Sequence, residues 1–155
     1  MQASATPPEQ LSPTSEESIG LLIKQVLASM SRMADRGMAD IGLTVMQWRP
    51  LMLIYQGKAD TAAELARLAE VDTGAMTRTL DRLESKGLLR RLRSTEDRRM
   101  NKLELTPSGC EAAQQCPAIL TSMLRHHLRD FNKQEVDQLR GFLRRMLVNG
   151  VQPSK

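Results

Sequence analysis

The chain has 155 residues, 41% apolar, 26% charged and 3% aromatic, with a net charge of +4. That suits one globular domain, or one domain with helical extensions, and four aromatics beside ten methionines argue against an all-β architecture. No apolar run approaches the ~18 residues of a spanning helix, and the opening MQASATPPEQ lacks the basic and apolar regions of a signal peptide, so a cytoplasmic protein without membrane contact is expected.

Residues 1–14 hold Pro7, Pro8 and Pro13 among small polar residues, which reads as a disordered or extended N-terminal arm. A helix is predicted from near Ser15, where Thr14 or Ser15 can cap and Glu16 and Glu17 complement the dipole. Ile19, Leu22, Ile23, Val26, Leu27, Met30 and Met33 repeat along it at three and four residues. It fades near Gly37, and Gly42 marks a turn. Thr44 is the expected cap of a second helix through Tyr55, with Val45, Trp48, Leu51, Met52 and Tyr55 on its apolar face. Pro50 removes a hydrogen bond there, so a kink or a late start is expected.

Thr61 opens a short helix through Ala69, with Glu64 at the capping-box position. Asp72 can cap the next helix, 73–86, which Gly87 ends. Residues 88–93 and 100–106 alternate as two strands of a hairpin around the charged turn 94–99. Pro107 suits the first turn of a long helix capped by Thr106 and running to about Arg129. Asn132 caps a last helix, about 132–149. Two short helices followed by a two-stranded hairpin make a winged helix–turn–helix. The fold class is therefore mainly α, α+β by its wing, with flanking N- and C-terminal helices.

Cys110 and Cys116 lie six residues apart on a predicted helix. Six residues rise about 9 Å and turn about 240°, beyond the reach of a disulfide. Reduced thiols are the plain reading and redox sensing the alternative. No Cys/His metal spacing, nucleophile–base pair or Gly-rich phosphate loop is present, so neither an enzyme nor a cofactor is expected.

At 100° per residue, Met76, Leu80 and Leu83 share one face of the helix 73–86, which must be the core face. Opposite lie Gly74, Ala75, Arg78, Arg82 and Ser85, flanked by Thr73 and Thr77. Small residues let a helix sink into the major groove of double-stranded DNA, where arginines reach guanine edges or phosphates. An ordinary solvated face is the competing reading. From Arg78 to Lys102 there are nine basic and four acidic residues, a charge of +5 against −1 for the rest. Arg90, Arg91, Arg93, Arg98 and Arg99 fall on the hairpin, where a wing follows the backbone or enters the minor groove. Asp97 beside Arg98 and Arg99 can brace an arginine.

TAAELARLAEVDTGAMTRTLDRLESKGLLRR (61–91), followed by EDRRMNKLELTPSG (96–109), resembles the MarR family of transcriptional regulators. The wing signature is Asp97-Arg98-Arg99 with Leu105-Thr106-Pro107-Ser108-Gly109, and Leu43-Thr44 and Gln47-Trp48-Arg49 resemble the family's second helix. Where members often carry Asp-Pro, this chain has Ser94-Thr95. The resemblance places Arg99 in the minor groove, oriented by Asp97, with Thr73, Thr77 and Arg78 in the major groove. It implies a homodimeric, nucleoid-associated transcriptional regulator in the cytoplasm, a repressor released from a palindromic operator by a small aromatic acid.

Residues 15–43 and 107–149 are then dimerisation helices, and 44–106 is the DNA-binding lobe of a single intertwined domain. Ile119, Leu120, Met123 and Leu124, then Val136, Leu139, Phe142, Leu143, Met146 and Leu147, are enough for an intersubunit bundle, with an intramolecular helical subdomain as the competing reading. Candidate effector residues are Trp48, to stack, and Arg49, to hold a carboxylate, with Ser29, Met30 and Met33. Trp48 could equally fill the core and Arg49 hold a structural ion pair. Residues 1–109 hold no cysteine, whereas the family's peroxide sensors keep theirs in that part of the chain. The alternative function is a winged-helix protein–protein interaction module without specific DNA binding.

Overall fold

The structure is a computed structural model that describes residues 12, 18–93 and 101–151. The N-terminal arm read over 1–14 lies outside the described residues apart from Ser12, and so do Thr14 and Ser15. The elements are α1 (Ile19–Ala39), α2 (Val45–Tyr55), α3 (Ala62–Ala69), α4 (Thr73–Ser85), β1 (Leu89–Arg93), β2 (Asn101–Leu105), α5 (Pro107–His127) and α6 (Lys133–Val151). The fold is the expected winged helix–turn–helix. The chain divides into two units, one through Met123 and one from Leu124.

Local chemistry explains most boundaries. α1 begins behind Ser18, later than the expected start near Ser15, and Gly42 turns the chain at φ +71°. α2 starts at Val45, so Pro50 delays nothing, and the helix runs through it without a break. Pro50 sits fully buried against the core, where its ring packs in place of the hydrogen bond it cannot donate. α5 likewise runs through Pro117. Thr61 caps α3 by accepting the Glu64 N–H, and the Glu64 carboxylate accepts the Thr61 hydroxyl in return. Asp72 caps α4 through the Ala75 N–H at 2.8 Å. Asn132 and Glu135 form a reciprocal capping box at the head of α6.

The core of the first unit gathers Met38, Leu43, Leu51, Leu65, Met76, Leu80, Leu83, Leu89, Leu103, Ala113 and Cys116. It joins the end of α1 to α2, α3, α4, the hairpin and the first half of α5. β1 and β2 pair antiparallel in the register Leu89↔Leu105, Arg90↔Glu104 and Arg91↔Leu103. Alternation puts Leu89, Arg91, Leu103 and Leu105 on the inner face and Arg90 and Glu104 on the outer. Gly109 closes the junction of hairpin and α5: a Cβ there would stand 1.9 Å from the Leu88 carbonyl oxygen. The glycine of the Leu-Thr-x-x-Gly stretch is thus required by a backbone approach.

In the second unit, α6 has no buried residue, and Phe142, Leu143, Met146, Leu147 and Val151 are exposed. In the first, Leu22, Ile23, Val26 and Leu27 of α1 are exposed as well. No helix among the described residues is long and apolar enough to cross a membrane.

Candidate nucleic-acid interface

Met76, Leu80 and Leu83 are buried to 2% exposure or less and lock α4 by one face. The opposite face is open: Thr73, Gly74, Thr77, Arg78, Arg82 and Ser85 are exposed. Ala75 is half-buried, because it turns toward α2. Arg78 lies back along the helix toward its cap: a Cβ on Gly74 would be in ordinary contact with its guanidinium at 3.6 Å, and 3.3 Å from the Asp72 carboxylate. The Asp72 carboxyl is held below its ordinary value by the Ala75 N–H, then the Gly74 N–H, with the Arg78 charge adding to them against weak desolvation. Asp72 thus caps the helix within the field of the Arg78 charge.

Thr77 donates its hydroxyl to the Thr73 carbonyl at 2.9 Å. In this conformation it offers lone pairs and a methyl group outward, which fits a thymine methyl better than a phosphate. Arg78 and Arg82 form no ion pair among the described residues.

The hairpin cations differ from the sequence reading. Arg91 sits on the inner face and forks onto α4, binding Asp81 at 2.6 Å and Glu84 through its second nitrogen. Arg90 pairs with Glu104 at 2.7 Å, and Lys102 with Asp60 at 3.5 Å. Arg91 and Lys102 hold the wing to its own lobe, and Arg90 ties its two strands to each other. Arg91 in particular ties the base of the wing to the helix beneath it. Of the arginines in the +5 segment whose side chains are described, Arg78 and Arg82 are the two without an ion pair among the described residues. Asp97, Arg98 and Arg99 lie outside the described residues, as do Ser94 and Thr95.

The five candidate effector residues do not converge. Trp48 and Arg49 line a cavity of about 200 Å³ with Val45, Pro50, Val71, Ala75, Met76 and Thr79, between α2 and α4. Met33 lines a different groove, of about 580 Å³, between α1 and α5. Ser29 and Met30 line neither. Arg49 donates to the Leu68 carbonyl at 3.0 Å, tying α2 to the last turn of α3, and keeps further donors for another acceptor.

Two sets of contacts escaped the sequence reading. Arg91 turns inward onto α4, and Lys86 Nζ bonds the Gln47 amide oxygen at 2.9 Å and the Gly42 carbonyl at 2.6 Å. A glutamine at a buried position of α2 was the available signal. Among the described residues no group of His, Cys, Asp and Glu could hold a metal ion.

The family model of the MarR family matches residues 43–100. The multiple antibiotic resistance protein MarR of Escherichia coli (strain K12) is 31% identical over 130 residues, covering 83% of this chain and 90% of that one. A crystal structure of a mutant MarR from E. coli complexed with operator DNA has a TM-score of 0.75 at 30% identity, over 83% of this chain and 93% of that one. The S. aureus MepR–DNA complex has a TM-score of 0.78 at 22% identity, over 85% and 98%, a likeness of fold.

Proposed function

The chain belongs to the MarR family and is a transcriptional regulator rather than an enzyme; from that premise we propose that it acts as a homodimeric, sequence-specific repressor, released from a palindromic operator by a small aromatic acid. The observation that carries the DNA-binding part is the α4 face. Its apolar side is locked in the core, and its open side presents Arg78 and Arg82 with no ion-pair partner among the described residues. One such helix reads too few base pairs for useful specificity, so two are needed on a palindrome. The exposed apolar residues of α1 and of α6 support a second copy as the partner that covers them.

The Trp48–Arg49 cavity, about 200 Å³, is below the roughly 300–1,000 Å³ of drug-sized pockets. It suits a one-ring acid, with Trp48 to stack and Arg49's spare donors for the carboxylate. Release requires only that the acid bind one spacing of the two recognition helices better than the other, by a few kcal/mol.

The test starts with a duplex selected by the wild-type protein from a random-sequence pool. Arg78→Ala is to lose about 1–3 kcal/mol on that duplex with little change on random duplex. Arg99→Ala is to weaken the selected duplex strongly while dimer and melting temperature stay unchanged. Wild-type binding that ignores both salt and sequence would overturn the assignment and favour a protein-binding module.

A further inference from the structure

We infer that Lys86 and Gln47 form a positioning junction that sets the recognition helix α4 relative to the dimerisation helix α1. The inference rests on the DNA-binding homodimer proposed above. Gln47 is a polar residue only 3% exposed, on the first turn of α2. Its amide oxygen accepts two hydrogen bonds, from the Thr44 N–H at 3.1 Å and from Lys86 Nζ at 2.9 Å. An amide oxygen has two lone pairs, so this one is fully used. Lys86 caps the C-terminal end of α4, where a cation suits the helix dipole. Its ammonium also donates to the carbonyl of Gly42, in the turn that follows α1. Gly42 holds that turn at a left-handed φ of +71°, a conformation other residues adopt only under strain.

On the other side, the Val45 N–H at the head of α2 donates to the Asp35 carboxylate of α1 at 2.6 Å. The head of α2 is thus pinned to α1 by Asp35 and to the end of α4 by Lys86. Directed hydrogen bonds resist sliding, which apolar packing tolerates more readily. Movement at the end of α1 reaches α4 through this junction. Directly after Lys86, Gly87 turns the chain into the wing, and its carbonyl accepts the Thr106 hydroxyl at 2.6 Å. Recognition helix and wing therefore follow the same anchor. Two half-sites lie about 34–36 Å apart on DNA, so the anchor of each lobe bears on spacing more than on affinity for one half-site.

The experiment compares three duplexes: the selected operator, the same operator with one base pair inserted between half-sites, and random sequence. Lys86→Met keeps the apolar stem and removes the cation. It is to weaken the selected operator about tenfold and shrink discrimination against the spaced operator by a similar factor. Binding to random duplex is to stay within about twofold, because no phosphate contact is lost. Lys86→Arg, which keeps a cationic donor, is to restore discrimination. Gln47→Met lies away from the DNA face and is to reproduce the Lys86→Met pattern, with the double variant no worse than either single one. Should Lys86→Met fail to fold, Lys86→Gln and Gln47→Met carry the same comparison. Equal loss on selected and random duplexes would make Lys86 a phosphate contact and overturn the inference, as would wild-type discrimination in Gln47→Met. A wild-type protein that selects no duplex overturns the DNA-binding reading itself.

Discussion

Replacing Gly109 by alanine tests whether the junction of wing and α5 is a backbone contact. The new Cβ would stand 1.9 Å from the Leu88 carbonyl oxygen and 2.9 Å from its carbon, against an ordinary contact of 3.4 Å or more. One backbone must withdraw by about 1.5 Å. The withdrawal disrupts two hydrogen bonds that hold the site, Thr106 N–H to Leu88 O at 3.1 Å and Thr106 hydroxyl to Gly87 O at 2.6 Å. Each contributes about 1 kcal/mol net. Overpacking adds about 1–3 kcal/mol, and the better helix propensity of alanine returns up to ~1 kcal/mol. The net loss is about 3 kcal/mol, which lowers the melting temperature of a chain this size by about 6–12 °C. Thermal unfolding by circular dichroism at one fixed protein concentration reads it. Ser108→Ala, an exposed neighbour in the same turn, is the control and is to melt like wild type. A Gly109→Ala protein melting within about 1 °C of wild type would show that the approach is softer than the geometry demands.

Asp72→Asn is to flatten the acid limb of unfolding. Hydrogen bonds to the Ala75 and Gly74 N–H groups and the Arg78 charge depress the Asp72 pKa from its ordinary 3.8 in the folded state. Its stabilising contribution is therefore present above that value and lost as pH falls through the lower folded one; urea midpoints between pH 5 and pH 2 that run parallel for both proteins would contradict this. Arg91→Gln is to cost only about 1 kcal/mol in melting, since its partners are more than a third exposed and solvent screens the pair. Its operator affinity is to fall further than its stability, and a loss confined to stability would remove the wing-tethering role. Burial raises the Cys116 thiol pKa, whereas Cys110 is partly exposed. Ellman's reagent is thus to modify Cys110 in the native protein and Cys116 only on unfolding; equal rates would refute the burial.

The local features of this protein were legible from its residues. The caps Thr61, Asp72 and Asn132 and the left-handed turns at Gly42 and Gly87 fall where the sequence predicts. The two faces of α4 also follow from periodicity, because Met76, Leu80 and Leu83 share one side of any helix built from that segment. Each of these depends on neighbours three or four residues away. The family, too, could be read from the motifs of the hairpin and the helix before it.

Tertiary structure decided the partners of the charges. Nothing in the order of residues tells that Arg91 faces inward, since strand register fixes which side each side chain takes. Nor does it show that Lys86 meets Gln47 and Gly42, 39 and 44 positions away. The effector candidates parted for the same reason: Met33 and Trp48 belong to helices whose packing opens two separate cavities. The sequence by itself determined a basic recognition helix and an aliphatic, Met-rich core. Packing determined which arginines remain for a partner and which hold the lobe together, because long-range pairing follows from where elements meet rather than from what each one is.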